Sequence, residues 1–248
     1  GKKLIIIGRA GVGVDNIDLE AATKRGIMVV NAPTGNTISA AEHAVALMLA
    51  MARHIPNANF ALKACKWERA KFTGTEVRGK TLGIIGLGNV GSAVARRARA
   101  FEMKLIGYDP FVSQDHAKNL QIEIVSLERI YKEADFITLH VPLTPQSKDM
   151  IGEKEIAMMK PTCRLINTAR GGLINEEALA AALTAKKITG AAVDVFPQEP
   201  CTTSLLFGLE NAIVTPHLGA STAEAQVMAA SDVAEQIVDV FKGFPPKY

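Results

Sequence analysis

The chain has 248 residues, of which 48% are hydrophobic and 21% charged, so it can bury the core of one or two ordinary domains. Its 28 basic and 25 acidic side chains give a net charge of +3, which argues against a dedicated nucleic-acid-binding protein. The longest clean apolar run, from Ala44 to Ala52, is far shorter than the roughly 20 residues of a membrane span. Three cysteines without a CxxC pair predict neither a disulfide framework nor a metal site, and the N-terminus lacks a signal-peptide pattern. We therefore expect a soluble cytoplasmic protein that does not act on membranes or nucleic acids.

The first part of the chain predicts two strands and two helices. The strands are expected at residues 4–7 and 27–30, with a helix over residues 18–24 between them. A long helix is expected from Ser39 to His54, where Ser39 and Glu42 fit a capping box. One apolar face of this helix is formed by Ala44, Leu47, Met48, Met51 and Ile55. This face could pack on the protein's own sheet or on a second subunit.

The rest of the chain alternates regularly between strands and helices. Strands are expected at residues 82–85, 104–108, 136–140, 164–167, 191–193 and 212–214. Helices are expected at residues 90–101, 127–133, 153–159 and 176–185, and from a second capping box, Ser221 to Glu224, to about residue 241. Strands separated by helices predict an α/β fold with a doubly wound parallel sheet, of the Rossmann type.

A glycine-rich turn carries the first functional signal. Gly86, Gly88 and Gly91 form a GxGxxG between a predicted strand and a predicted helix, where free N–H groups can meet the phosphates of a dinucleotide. Asp109 ends the next strand, 18 residues after Gly91, where a carboxylate binds the ribose hydroxyls of NAD and repels the 2′-phosphate of NADP. The alternative is a glycine turn without a ligand. The context favours NAD.

A second glycine cluster runs from Gly8 to Gly13 and also follows a predicted strand. Its spacing is GxxGxG, and no acidic residue stands at the distance that a second nucleotide site requires. We interpret it either as a simple turn or as a loop whose backbone N–H groups face an anionic substrate.

Three polar residues follow predicted strands near the sheet edge that carries ligands in open α/β folds. Arg170 precedes Gly171 and Gly172, Glu199 follows the strand at 191–193, and His217 follows the strand at 212–214. Each alone could be an ordinary surface or capping residue, and the spacing does not show that they meet.

Five ordered segments resemble the signatures of the D-isomer-specific 2-hydroxyacid dehydrogenases, and they span nearly the whole chain. They are Gly11 to Asn16, Gly86 to Gly91, Asn167 to Gly172, Asp194 to Phe196, and Pro216 to Gly219. The segments from Lys66 to Arg69 and from Pro216 to Thr222 are most similar to those of members that act on a phosphorylated substrate.

The resemblance implies a catalytic set of Arg170, Glu199 and His217. A histidine can take the hydroxyl proton near neutral pH, a carboxylate can orient its ring, and a guanidinium can bind and polarise the oxidised group. The hydride would pass to NAD.

The resemblance also implies the ligand contacts. The expected cofactor contacts are Gly86, Gly88, Asn89, Val90, Gly91, Asp109, Val141, Pro142, Thr168, Ala169, Arg170, Asp194, His217, Gly219 and Ala220. The expected substrate contacts are Arg9, Gly11, Val12, Gly13, Arg69 and Lys71, the last two in a basic stretch that in this family can reach across a dimer. Asn89 stands where an arginine often occurs, so one charged contact to the pyrophosphate is missing. Val12 and Val141 stand where a threonine can occur, so their contacts to the cofactor would be backbone or apolar only.

The expected organisation is a nucleotide-binding domain over residues 34–217 and part of a substrate lobe, formed by residues 1–33 and 218–248. So small a lobe buries little core, so we expect a truncated form of a longer chain. The expected partners are a phosphorylated 2-hydroxy acid and a second copy of the chain, bound through the region of the helix from Ser39 to His54. A tetramer is the alternative to this dimer. The alternatives are a glyoxylate or hydroxypyruvate reductase, an NAD-sensing scaffold like the corepressors with this fold, and a fragment that binds NAD without turnover.

Overall fold

The structure is a computed structural model that describes residues 3–14 and 16–248. Gly1 and Lys2 of the expected lobe, and Asp15 of the first signature segment, lie outside the described residues. The chain forms two compact units: unit 1 contains Gly1–Ala40 and Leu218–Tyr248, and unit 2 contains Ala41–His217. The sequence predicted a domain boundary after residue 33. The boundary between the two units instead lies after Ala40, inside helix α2 (Thr37–Ala52).

Unit 2 is built on a seven-stranded sheet in which every pairing is parallel. Its strands are β3 (Thr81–Ile85), β4 (Lys104–Tyr108), β5 (Glu123–Ile124), β6 (Phe136–Leu139), β7 (Arg164–Asn167), β8 (Gly190–Val193) and β9 (Ala212–Val214). The spatial order is β5-β4-β3-β6-β7-β8-β9. The predicted fold class, a parallel Rossmann-type sheet, is confirmed.

Helices of unit 2 cover both faces of this sheet. They are the rest of α2, α3 (Ile55–Lys63), α4 (Asn89–Ala100), α5 (Gln114–Leu120), α6 (Leu127–Glu133), α7 (Glu153–Ala157) and α8 (Glu176–Thr184), with a 3₁₀ turn at Arg69–Phe72. Alternate residues of β3 enter different apolar clusters, Leu82 and Ile84 on one side and Ile85 on the other. Burial on both faces explains why these strands are continuous apolar runs in the sequence.

The strand order reverses at β3, and this reversal positions the site. From β3 the chain adds β4 and β5 on one side, then returns to place β6 on the other side. The loops that follow β3 and β6 therefore leave in opposite directions and open a crevice at the carboxyl ends of the strands.

Unit 1 is smaller and contains β1 (Ile6–Arg9), α1 (Leu19–Lys24), β2 (Met28–Asn31) and α9 (Ala223–Phe241). The strands pair in parallel, with Ile6 opposite Met28. A small apolar cluster of Val30, Ala32, Ala229 and Val233 joins β2 to α9. The first strand lies two residues later than the sequence predicted.

The predicted long helix is wrong at both ends. Helix α2 begins at Thr37, so Ser39 is not its N-cap, and the Ser39 hydroxyl instead donates to the carbonyl of Asn36. The helix ends before His54, whose φ of 54° is left-handed, and α3 starts with Pro56 in its first turn. Ile55 therefore leaves the predicted buried face and is 54% exposed. Proline at this position was the available signal for a new helix.

The second predicted capping box is displaced by one residue. Thr222, rather than Ser221, is the N-cap of α9, and its hydroxyl accepts the N–H of Ala225 at 3.1 Å. Helices α3 and α5 and strand β5 were absent from the prediction. Among the residues that the structure describes, no helix is both long enough and apolar enough to cross a membrane.

Candidate functional site

The three glycines after β3 have three different surroundings. Gly86 has a φ of 94°, and a Cβ there would lie 2.5 Å from the carbonyl oxygen of His140. A Cβ on Gly91 would lie 1.9 Å from the carbonyl oxygen of Gly86. A Cβ on Gly88, the N-cap of α4, would meet no atom within 4 Å. The first and third glycines thus serve the turn and its packing, whereas the second leaves space for a ligand.

Asp109 lies just beyond the carboxyl end of β4, next to this turn. Its Oδ2 accepts the N–H of Leu87 at 2.8 Å, and its Oδ1 accepts the N–H of Phe111 at 2.8 Å. Each carboxylate oxygen can accept further hydrogen bonds, as the ribose of a dinucleotide would require. The carboxylate also ties the glycine turn to β4, a structural role that the sequence did not predict.

The predicted base and acid lie in contact. His217 Nδ1 is 2.6 Å from Glu199 Oε2, and Glu199 Oε1 accepts the N–H of Phe196 at 3.0 Å. Since Nδ1 faces the carboxylate, Nε2 is the nitrogen that remains for a substrate. His217 has a φ of 55°, and its N–H donates to the carbonyl of Asp194 at 2.8 Å. A cavity of about 280 Å³ lies beside this pair, lined by Phe196, Glu199, Pro200, Cys201, Phe207, Val214, Thr215, Pro216 and His217.

The segment after β7 carries Thr168, Ala169 and Arg170. Asn167 shapes it, because its Nδ2 donates to the carbonyl of Arg170 at 2.9 Å and its Oδ1 accepts the N–H of Ala169. Arg170 Nη1 donates to the carbonyl of Ala169 at 2.7 Å. The hydroxyl of Thr168 is buried and has no partner among the described residues. An unpaired buried hydroxyl at the ligand edge, together with the space at Gly88, fits a bound dinucleotide.

His140, Val141 and Pro142 follow β6 across the crevice from the glycine turn. Burial lowers the pKa of His140 from 6.5 to about 4, so its ring is neutral near pH 7. Its Nε2 lies 2.9 Å from the hydroxyl of Thr138. Val141 is half-buried, and a Cβ at Gly86 would lie 2.9 Å from its Cγ1. These residues form the second wall of the crevice.

The two predicted phosphate-binding residues of the basic stretch do not join the His217–Glu199 pair within one chain. Arg69 and Lys71 lie in the exposed 3₁₀ turn, and Lys71 Nζ is 4.0 Å from the carboxylate of Glu210. Glu210 precedes β9, whereas His217 follows it, so Lys71 lies towards the opposite edge of the sheet. Any contact of Arg69 or Lys71 with the His217–Glu199 pair would have to come from another chain.

Several of the predicted contacts belong to unit 1, and all of the predicted ligand contacts stay predictions. Arg9 ends β1, and its Nη1 donates to the carbonyl of Ala10 at 2.7 Å. The loop with Gly11, Val12 and Gly13 is held by Asn31, whose Nδ2 donates to the carbonyl of Val12. Gly219 and Ala220 also lie in unit 1.

The sequence prediction missed His43. This residue lies on α2, and its Nε2 is 3.2 Å from Oδ1 of Asp194 and 3.3 Å from the hydroxyl of Thr215. No motif marks it, because a single histidine on an apolar helix resembles many core histidines.

A family model and several known proteins match this chain. The family model described as the NAD-binding domain of D-isomer specific 2-hydroxyacid dehydrogenases matches residues 45–219. A D-3-phosphoglycerate dehydrogenase of Synechocystis is 58% identical over the whole chain, which covers 45% of that relative. The chain thus spans about half the length of the curated relatives it matches.

Solved structures share the fold. The TT0316 protein of Thermus thermophilus is 36% identical with a TM-score of 0.91, over 99% of this chain and 78% of that one. A D-lactate dehydrogenase of Aquifex aeolicus, solved with NAD and lactic acid, is 32% identical with a TM-score of 0.88, over 97% of this chain and 77% of that one.

Proposed function

The chain belongs to the D-isomer specific 2-hydroxyacid dehydrogenase family and contains its NAD-binding domain. On this basis we propose that it oxidises D-3-phosphoglycerate to 3-phosphohydroxypyruvate. In this family, that reaction begins serine biosynthesis. The observation that carries the proposal is the 2.6 Å contact between His217 and Glu199, beside the cavity that both residues line. The choice of substrate is supported by curated relatives, 49–58% identical, that are named D-3-phosphoglycerate dehydrogenases.

Side chains of the protein itself transfer the proton and bind the substrate. Bound NAD would accept the hydride from the carbon that carries the hydroxyl group. His217 Nε2 takes the hydroxyl proton, while Glu199 holds the ring through Nδ1 and stabilises the charge that the ring gains. The planar guanidinium of Arg170 binds the substrate carboxylate and polarises the developing carbonyl. In the reverse direction His217 returns the proton.

The cofactor would be held by residues at the carboxyl ends of several strands, among them β3, β4 and β7. The turn at Gly88 offers its N–H groups to the pyrophosphate, and Asp109 accepts the ribose hydroxyls. Thr168 would gain the hydrogen-bond partner that its buried hydroxyl lacks.

The substrate phosphate requires further cations, and we assign this role to Arg9, Arg69 and Lys71. For Arg69 and Lys71 the assignment requires a second copy of the chain. Self-association is supported by large apolar side chains that are exposed on α3 and the segment after it, including Ile55, Phe60, Leu62 and Trp67, the last 82% exposed. We therefore propose a homodimer that uses the region of α2 and α3.

The cytoplasm is the compartment we assign to this protein. Cys65, Cys163 and Cys201 are all free thiols, as expected in a reducing compartment. Burial raises the pKa of the Cys163 thiol to about 12, which keeps it unreactive.

The decisive experiment measures NAD binding by calorimetry and compares kcat/KM for D-3-phosphoglycerate, D-glycerate and D-lactate. We expect NAD binding and a clear preference for the phosphorylated acid. The variant His217→Gln should keep NAD binding and lose oxidation. A preference for unphosphorylated acids would indicate a glyoxylate or hydroxypyruvate reductase, and NAD-dependent peptide binding without turnover would indicate a scaffold.

The phosphate assignment has its own test. Charge reversal in Arg69→Glu should raise KM for phosphoglycerate and leave KM for D-glycerate unchanged. An unchanged KM for phosphoglycerate would remove Arg69 from the site.

A further inference from the structure

A buried polar cluster lies directly beneath the catalytic pair. The carboxylate of Asp194 is fully buried at the end of β8. The hydroxyl of Thr215 donates to its Oδ1 at 2.5 Å, and His43 Nε2 lies 3.2 Å from the same oxygen. His43 and Thr215 also face each other at 3.3 Å. Three elements, α2, β8 and the segment after β9, thus meet at one carboxylate oxygen.

The cluster determines which ring nitrogen of His43 carries a proton. A carboxylate oxygen is an acceptor, so a bare nitrogen lone pair facing it at 3.2 Å would be repelled. His43 must therefore present Nε2–H to Asp194. In return, that N–H helps to satisfy a buried carboxylate, which is strongly unfavourable without hydrogen bonds.

The same cluster touches both segments that carry the catalytic pair. The carbonyl of Asp194 accepts the N–H of His217 at 2.8 Å. Thr215 lies two residues before His217, and its N–H donates to the carbonyl of Val193. Glu199 follows Asp194 on the loop after β8. A shift of the Asp194 carboxylate would move the backbone that aims His217 at Glu199.

We propose that His43 is a positioning residue: its Nε2–H holds Asp194 and Thr215 in place, and through them it fixes the geometry of the His217–Glu199 pair. This inference rests on the proposed dehydrogenase function, since it assigns His43 a part in aiming the base of that reaction. His43 itself contacts neither His217 nor Glu199 among the described hydrogen bonds.

The test compares two substitutions in the proposed dimeric enzyme. His43→Leu removes the donor and keeps the bulk, whereas His43→Gln places an amide N–H near the position of Nε2. We expect His43→Leu to lower kcat roughly ten- to hundredfold, because misplacement of a catalytic group carries a penalty of this order. KM for phosphoglycerate should change less than kcat, and His43→Gln should recover most of the rate.

A second readout does not depend on turnover. Nitrogen-15 NMR of the histidine side chains should show the Nε2–H tautomer for His43 in the wild-type protein. The Nδ1 proton resonance of His217, hydrogen-bonded to Glu199, should broaden or shift in His43→Leu and return in His43→Gln. This readout stays valid even if no hydroxy acid is turned over, in which case only the proposed function fails.

Three results would overturn the proposal. The first is an Nδ1–H tautomer of His43. The second is an unchanged His217 resonance in a folded His43→Leu variant. The third is a rate loss that His43→Gln does not recover, which would indicate a packing role only. If His43→Leu does not fold, the tautomer and the His43→Gln rate still decide the question.

Discussion

In the glycine turn, one glycine is required by the fold and another leaves space for a ligand. Gly91 lies against the backbone of Gly86, so its missing side chain is required by the protein itself. Gly88 faces open space and has an ordinary φ of −66°. The protein alone would therefore accept a side chain at Gly88, and only a bound ligand would not.

We expect Gly88→Ala and Gly91→Ala to separate these two roles. Gly88→Ala should leave the free energy of unfolding within about 0.5 kcal/mol of the wild-type value. It should weaken NAD binding by about tenfold, or 1.4 kcal/mol. Gly91→Ala should destabilise the fold by about 1–3 kcal/mol through overpacking.

Urea unfolding and calorimetric titration with NAD measure both quantities. Unchanged NAD affinity in Gly88→Ala would show that the pyrophosphate does not approach this position.

The candidate catalytic residues also show what the sequence alone could not predict at the residue scale. Residue types and positions after strands identified Arg170, Glu199 and His217 as candidates, because parallel strands end at one edge. Spacing alone could not show the 2.6 Å contact, which depends on two loops folding back over the sheet. His43 lay outside any motif, because its partner Asp194 is 151 residues away along the chain.

At the scale of elements, strands were easier to predict than helices. The strands of unit 2 are buried on both faces, so they appear as uninterrupted apolar runs. Helix α5 is mostly polar and buries only Ala117 and Leu120, so its periodicity is weak. Strand β5 has only two residues, which are too few to show an alternation of apolar and polar residues. Helix α3 was hidden because only Arg53 and His54 separate it from α2.

His140, at the end of β6, should make the free energy of unfolding depend on pH. The pKa of His140 is about 4 in the folded protein and near 6.5 when unfolded, so the unfolded chain binds more protons between these values. The contribution of His140 to stability is therefore complete above pH 6.5 and is lost as the pH falls towards 4. His140→Gln, which cannot titrate, should flatten this part of the curve.

Melting temperatures of both proteins, recorded from pH 7.5 to pH 4, test this expectation. Parallel curves for the two proteins would contradict it.

The start of α9 offers a matched pair of substitutions. Thr222→Ala removes the side chain that caps the helix and should cost about 1 kcal/mol of the stability of unit 1. Ser221→Ala, one residue earlier, removes an exposed hydroxyl and should change stability by less than about 0.5 kcal/mol. Urea unfolding followed by circular dichroism measures both. Equal losses would support the capping box that the sequence suggested at Ser221.

At the scale of the whole molecule, the two units differ in the size of their cores. Among the residues that the structure describes, unit 2 has apolar clusters of 24 and 22 buried residues, whereas the cluster of unit 1 has four. Burial of apolar surface is the main favourable term in folding, so local opening should require less free energy in unit 1.

Amide hydrogen exchange should reveal this difference directly. We expect the amides of β1 and β2 to exchange faster than those of β3, β6 and β7 under native conditions, because few buried contacts protect them. Exchange of both sets at one common rate would mean that the units open together.

The left-handed backbone of His217 has a practical consequence for engineering. A side chain at a φ of 55° carries a steric penalty of roughly 1–2 kcal/mol, and glycine avoids it. A computational search for stabilising substitutions would therefore favour glycine at this position. The resulting protein would be more heat-resistant and would lack the proposed proton acceptor. Residue 217 should be held fixed whenever this scaffold is redesigned for durability.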